Sequence, residues 1–129
     1  MAIKRFDHVA INAKDITKSK AFYSGILGLN PGEIVDMGDL ILHYVRLPDN
    51  SANELFEHKD RSIYDELETK EGLTKHIAFY VDNIEDLNQK LKNNNVKFEM
   101  DLCVLEPLRV QALLCLDPDG VIVELTQKI

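Results

Sequence analysis

Two short stretches, DHVAINAKD at residues 7–15 and KHIAFYVDN at residues 75–83, decide the fold. Each stretch places a histidine at the head of an apolar run that alternates as a β-strand does, and each ends on a residue that commonly begins a helix. When the two stretches are superposed, His8 falls on His76, at an offset of 68 residues. The same local pattern therefore occurs twice in the chain.

A second pair of stretches recurs at nearly the same spacing as the first. Glu54 lies in NELFEH at residues 53–58, and Glu124 lies in VIVELTQ at residues 121–127, at an offset of 70 residues. Two landmarks whose offsets agree to within two residues indicate a duplicated module of about 65–70 residues. We therefore predict one domain of two modules: module one at 1–58, a polar linker at 59–74 and module two at 75–129.

Each module reads as β-α-β-β-β, which predicts an α+β protein. Asp15 and Asn83 are the expected helix caps, and Gly28 is expected to end the first helix. The run DPDG at residues 117–120 predicts a tight turn between two strands of module two. Short edge strands are expected near Glu33 and Lys97.

Composition and charge limit the function classes. The chain has 129 residues, 45% of them hydrophobic and 29% charged, as in a globular protein with a sizeable core. A formal net charge of −7 argues against nucleic acid and anionic membrane as partners. No signal peptide or membrane span is evident, and Cys103 and Cys115 fit no metal spacing, so a cytoplasmic protein with free cysteines is expected.

The alternation of the strands places the four repeated residues on defined faces. His8 and His76 point away from the aliphatic face of their strands, which is expected to pack on the module's helix. A lone Glu such as Glu124 in an apolar strand is costly to bury unless something compensates its charge. Two imidazoles and two carboxylates together suit one divalent cation, such as Zn²⁺, Ni²⁺, Co²⁺, Fe²⁺ or Mn²⁺, and leave coordination positions open for substrate.

These motifs resemble the vicinal oxygen chelate superfamily, which includes glyoxalase I, ring-cleaving dioxygenases and the bleomycin- and fosfomycin-resistance proteins. The resemblance covers essentially the whole chain, and its most specific parts are DHVAI at 7–11, KAFYSGILGL at 20–29, HIAFYVDN at 76–83 and LDPDGVIVELTQ at 116–127. It implies paired βαβββ modules that form a curved mixed-sheet cup with helices outside, often in a homodimer.

The resemblance also implies a ligand set. The family's metal ligands fall on His8, Glu54, His76 and Glu124, in the manner of glyoxalase I. Two departures bear on the substrate: Asn12 stands where glyoxalase I typically has an Arg, and His58 stands where it has an Asn. An amide cannot replace the charge-assisted pairing of a guanidinium, which makes glutathione use doubtful.

The implied activity is that of a lyase or isomerase acting on a small oxygenated substrate. Glu124, assisted by Glu54, would move a proton between neighbouring carbons while one divalent metal (Ni, Co, Zn or Mn) stabilises an enediolate. The expected substrate-binding residues are Asn12, Phe56, His58 and Tyr80. Two alternatives stay open: an Fe²⁺ dioxygenase using His8, His76 and Glu124, and a drug- or metabolite-binding protein without chemistry.

Overall fold

A computed structural model of the chain describes residues 4–67 and 75–129 and divides it into two compact units, residues 1–67 and residues 68–129. Both units have the order β-α-β-β-β and contain a four-stranded sheet with one parallel and two antiparallel strand pairs. The α+β prediction of two βαβββ modules is therefore confirmed. None of the helices in the described ranges is long and apolar enough to cross a membrane.

The sheet of the first unit has the strand order β1-β4-β3-β2, with β1 parallel to β4. The other two strand pairs, β4 with β3 and β3 with β2, are antiparallel. The elements of this unit are β1 (His8–Asn12), α1 (Ile16–Lys20), β2 (Asn30–Asp36), β3 (Leu40–Arg46), β4 (Ala52–His58) and α2 (Ile63–Glu66).

The first helix begins as predicted and then changes its winding. Asp15 is the N-cap, and its side chain accepts a hydrogen bond from the backbone N–H of Lys18 at 3.2 Å. Beyond Lys20 the helix continues as a π-helix at Ala21–Ile26, a winding that the apolar spacing did not predict. Gly28 then adopts φ +80°, where a residue without Cβ meets no steric penalty, and the helix ends as expected.

The second unit repeats this arrangement with the strand order β5-β8-β7-β6, in which β5 is parallel to β8. A 3-10 turn at Glu106–Leu108 joins β6 to β7. The main elements are β5 (Ile77–Tyr80), α3 (Ile84–Asn93), β6 (Phe98–Leu105), β7 (Val110–Leu116) and β8 (Ile122–Lys128). The expected strands near Glu33 and Lys97 correspond to β2 and to β6.

Helix α3 begins differently from the prediction. Asn83 precedes it but makes no side-chain capping hydrogen bond. Instead, Gln127 on β8 accepts a hydrogen bond from the backbone N–H of Ile84 at 2.9 Å through its side-chain oxygen. Asn83 therefore occupies the predicted N-cap position, but a residue distant in sequence, not its own side chain, satisfies the N–H donor of Ile84 at the helix start. The predicted turn at residues 117–120 is present, with Asp117 accepting hydrogen bonds from the backbone N–H groups of Asp119 and Val121.

Each sheet buries one face, but the two buried faces differ in composition. Val123 and Leu125 on β8 pair with Cys115 and Leu113 on β7, and all four are at most 1% exposed. Burial raises the pKa of the Cys115 thiol to about 12, so this cysteine is unreactive at neutral pH. The equivalent face of the first unit also carries Leu55 and Val45, but it includes the polar residues His43 and Asn53.

The segment expected to be a linker contains structure. Helix α2 (Ile63–Glu66) lies inside the predicted range 59–74, and Tyr64 at its centre is buried. Residues 68–74 of that range lie outside the described residues. The boundaries of the two modules and of the linker stay a prediction.

Candidate metal and substrate site

The repeated glutamates occupy the same register position in the two units. Glu54 lies between Ala10 on β1 and Tyr44 on β3. Glu124 lies between Ala78 on β5 and Leu114 on β7. In each unit the histidine precedes that alanine by two residues, so His and Glu share one face of their sheet. The faces predicted from alternation are therefore observed within each unit.

The first pair is in contact. His8 Nδ1 lies 3.2 Å from Glu54 Oε2. Glu54 is only 6% exposed, whereas the His8 side chain is nearly half exposed. Burying a carboxylate is unfavourable without a positive or hydrogen-bonding partner, and His8 is the partner observed here. A carboxylate held in this way is also ready to bind a cation.

The second pair is more open. His76 Nε2 lies 3.8 Å from Glu124 Oε1, and the Glu124 side chain is 22% exposed. That separation is too long for a hydrogen bond between the two groups. Glu124 is the more accessible of the two carboxylates.

The donor atoms of the first pair are spaced as two ligands of one metal ion would be. Nitrogen and oxygen ligands lie about 2.0–2.2 Å from Zn²⁺, so two ligands of one ion are about 3–3.5 Å apart. The separation of 3.2 Å in the first pair meets this requirement, and the 3.8 Å in the second is slightly wider. Within the described ranges, no group of three or more His, Cys, Asp or Glu side chains is arranged to hold a metal.

Asp7 is a neighbour of the site that the sequence analysis missed. Its Oδ2 lies 2.8 Å from Nδ1 of His8, and this hydrogen bond, together with Arg5, lowers the Asp7 pKa. A carboxylate on one ring nitrogen orients a histidine and makes the other nitrogen a better ligand. The 3.2 Å separation from Glu54 involves Nδ1, so a metal shared by His8 and Glu54 in this arrangement would take the place of Asp7 on Nδ1. The only sign of this contact in the sequence was that Asp7 directly precedes His8.

The predicted substrate residues of the first unit are brought together. Asn12 Oδ1 and His58 Nε2 are 2.7 Å apart, at the carboxyl ends of β1 and β4. Phe56 lies on the same face, with its ring centroid 6.3 Å from that of His58. Tyr80, from the second unit, ends β5 and is 65% exposed.

His43 is separated from this face. It pairs with Leu55 on the buried side of the sheet, where its Nε2 lies 3.0 Å from Oε1 of Glu57. This position indicates a structural role for His43.

Tyr64 is a second residue that the sequence analysis missed. Its hydroxyl donates a hydrogen bond to the carbonyl of Ala13 at 2.7 Å and accepts one from the backbone N–H of His58 at 2.9 Å. The guanidinium of Arg61 lies 4.6 Å from the centre of the Tyr64 ring. Ile63 and Tyr64 are adjacent apolar residues in a highly charged segment. This short apolar pair was a sign in the sequence that the segment packs on the first unit.

Comparison with known proteins supports the fold and the family. Residues 5–125 match the family model described as Glyoxalase/Bleomycin resistance protein/Dioxygenase superfamily. No curated protein matches the sequence closely enough to count as a relative.

Solved structures of this kind superpose over nearly the whole chain. A glyoxalase family protein from Enterococcus faecalis is 26% identical, with a TM-score of 0.76 and coverage of 98% of this chain and 99% of its own. A glyoxalase/dioxygenase from Nostoc punctiforme is 20% identical, with a TM-score of 0.77 and coverage of 99% and 93%. The fosfomycin resistance protein FosX from Listeria monocytogenes is 16% identical, with a TM-score of 0.74 and coverage of 98% and 95%. The last two show likeness of fold.

Proposed function

Because the chain belongs to the Glyoxalase/Bleomycin resistance protein/Dioxygenase superfamily, we propose that it is a metal-dependent lyase or isomerase for a small oxygenated substrate. His8, Glu54, His76 and Glu124 would bind one divalent ion, Ni²⁺, Co²⁺, Zn²⁺ or Mn²⁺. The ion, when bound, supplies a Lewis acid that polarises substrate oxygens. The expected substrate is a small molecule, and the expected assembly is a homodimer.

One observation carries this proposal: the same His–Glu pair recurs at the same register position in both units. In each unit the glutamate pairs with an alanine on the parallel strand, two residues after the histidine. A single pair would be explained as an ordinary hydrogen bond or ion pair at the start of a strand. Two equivalent pairs provide two nitrogen and two oxygen ligands whose carboxylate charge balances a divalent cation.

Glu124 is the better candidate for the group that moves the proton. Its carboxylate is more exposed than that of Glu54, and its Oε1 is not held by a hydrogen bond to His76. A general base must reach a carbon-bound proton of the substrate, and a buried, paired carboxylate does so less readily. Glu54 would serve as a ligand and would assist the transfer from the other side.

Asn12, Phe56, His58 and Tyr80 would contact the rest of the substrate. Phe56 and Tyr80 provide apolar surface, whereas Asn12 and His58 provide hydrogen-bonding groups that already pair with each other at 2.7 Å. A charged carboxylate on the substrate would lack a bidentate guanidinium partner on these residues. A hydroxycarbonyl compound therefore suits the site better than a glutathione thioester.

Proton exchange tests the reaction without knowledge of the natural substrate. Metal-loaded protein should catalyse exchange of the carbon-bound protons beside the carbonyl of hydroxyacetone in D₂O, measured by NMR. Glu124→Gln should lower the rate by about 100-fold or more, because it keeps the shape of the side chain but removes a carboxylate that would serve both as base and as metal ligand. Glu57→Gln, a matched change on the opposite face of the first sheet, should leave the rate unchanged.

Other outcomes would identify the alternatives. Activity with Fe²⁺ alone, combined with consumption of O₂ and an aromatic diol, would favour the dioxygenase. Binding of small molecules that is insensitive to metal removal and to Glu124→Gln would favour a binding protein. Absence of exchange with every metal and every hydroxycarbonyl probe would contradict the isomerase.

A further inference from the structure

Helix α2, which follows β4, supports the end of the sheet face that carries Asn12 and His58, two of the proposed substrate-binding residues. Tyr64 in α2 is 8% exposed, and its hydroxyl joins the Ala13 carbonyl after β1 to the His58 N–H at the end of β4. A direct backbone hydrogen bond, from Ala13 N–H to the Phe56 carbonyl at 2.9 Å, precedes this bridge. Tyr64 therefore continues the connection between two parallel strands past the point where their own ladder stops.

Several contacts hold Tyr64 in this position. The guanidinium of Arg61 lies over its ring and also donates a hydrogen bond to the carbonyl of Lys14. The ring of His58 meets the ring of Tyr64 edge-on, with centroids 5.6 Å apart. The Tyr64 ring and hydroxyl thus constrain both the backbone and the side chain of His58.

The hydrogen bond between His58 and Asn12 determines what these two residues can offer a ligand. Asn12 Oδ1 can only accept, so His58 Nε2 is the donor and the lone pair of the neutral ring lies on Nδ1. The amide nitrogen of Asn12 remains a donor. A hydroxyl or amide group can accept from the Asn12 amide nitrogen or donate to Nδ1 of the neutral His58 ring, whereas a carboxylate can only accept.

We propose that Tyr64 is a positioning residue that fixes the Asn12–His58 pair for recognition of a hydroxyl or amide group on the substrate. The inference rests on the proposed function, because Asn12 and His58 share a sheet face with His8 and Glu54. Four residues separate His58 from Glu54, which is about 13 Å along a strand. The substrate would be an extended molecule with an oxygen-rich end at the metal and a neutral hydrogen-bonding group at the other end.

Imidazole ¹⁵N NMR of the full chain tests the positioning. In the wild type, the His58 ring should be the Nε2–H form at a pH where it is neutral. Tyr64→Phe should give signals averaged over both forms and about tenfold faster exchange of the His58 backbone amide. Tyr23→Phe, which also removes a buried hydroxyl from the first unit, should change neither. Unaltered His58 signals in Tyr64→Phe would overturn the positioning role.

Two matched probes test the ligand class on Zn²⁺-loaded protein. Both carry a hydroxamate, which chelates metals, at one end of the same alkyl chain; one ends in a hydroxyl and the other in a carboxylate. The hydroxyl probe should bind about tenfold more tightly, and Tyr64→Phe should remove this preference while Tyr23→Phe keeps it. Equal binding, or tighter binding of the carboxylate, would overturn the assignment.

The two experiments separate this inference from the proposed function. If Zn²⁺ does not load or neither hydroxamate binds, the metal site is wrong and the ligand assignment falls with it. The His58 ring signals still decide whether Tyr64 positions the Asn12–His58 pair, because that measurement needs no metal.

Discussion

The two units share their strand order and their His–Glu register, but they differ in what their buried faces contain. At matching positions the first unit has His43 and Asn53 where the second has Leu113 and Val123. Asn53 is fully buried, and neither of its side-chain polar atoms has a hydrogen-bond partner among the described residues. A duplicated backbone therefore tolerates a polar core in one copy and an apolar core in the other.

The units also differ in the surroundings of their His–Glu pairs. In the first unit, Asp7 pairs with His8 and Glu54 is buried; in the second, Lys75 stands at the position of Asp7 and Glu124 is partly exposed. The first pair is thus held more firmly than the second. In the proposed function, the first unit would mainly bind the ion and the second would mainly move the proton.

The largest expected effects come from truncation of the central leucines. Leu125→Ala should lower the free energy of unfolding by about 4 kcal/mol, and Leu55→Ala by about 3 kcal/mol. Both side chains are at most 1% exposed. The cavity at Leu125 is lined by apolar groups, whereas polar neighbours at Leu55 can take up a water molecule. Urea unfolding measures both values.

Leu108→Ala is the control for these two variants, since Leu108 is 68% exposed and its loss should change stability by less than about 0.5 kcal/mol. A greater cost for Leu55→Ala than for Leu125→Ala would contradict the account of the two cores.

Exchanging the matched polar and apolar residues gives an effect of intermediate size. Val123→Asn should destabilise the protein by about 2–3 kcal/mol, because it buries an amide without partners. Asn53→Val should stabilise it by about 1 kcal/mol, because it removes such an amide. Thermal and urea unfolding of both variants measures these changes. Destabilisation by Asn53→Val would show instead that Asn53 binds an internal water molecule.

Lowering the pH should destabilise the first unit before the second, and this effect should be smaller than those of the core substitutions. Lys59 lowers the pKa of Asp36, Arg46 lowers that of Glu33, and in the second unit Lys92 lowers that of Asp101. Among the described residues, lowered pKa values are found for Asp7, Glu33, Asp36, Asp49 and Asp60 in the first unit and for Asp101 in the second.

A carboxyl whose pKa is lower in the folded state stabilises the fold above its ordinary pKa, about 4, and loses this contribution as the pH falls further. Amide hydrogen exchange between about pH 5 and pH 2 should therefore show earlier loss of protection in the first unit. Addition of 1 M salt, which screens exposed pairs, should reduce the difference. Simultaneous loss in both units at every salt concentration would contradict it.

Local patterns in the sequence were sufficient to predict most of the fold. Alternation gave the strands and the faces of His8 and Glu54, and Asp15 and Gly28 gave the limits of the first helix. These features depend on residues close in sequence, so local chemistry determines them. The repeat then predicted the second unit from the first.

Features that depend on distant residues could not be predicted. Gln127 replaces Asn83 at the start of α3 because β8 brings its side chain there. Tyr64 acts on strand ends that precede it by six and by fifty-one residues. The π-helix at Ala21–Ile26 leaves no mark in the apolar spacing.

Metal binding to matched variants tests the central claim most directly. Metal-free protein would be titrated with Ni²⁺, Co²⁺, Zn²⁺ and Mn²⁺ by calorimetry, with elemental analysis of the loaded chain. The wild type should bind one ion per chain and gain about 2.7 kcal/mol of stability at 100 times the dissociation constant. Glu54→Gln and Glu124→Gln should lose this binding, while Glu57→Gln keeps it. No binding by the wild type, or equal binding by all four proteins, would contradict the claim that His8, Glu54, His76 and Glu124 hold a metal.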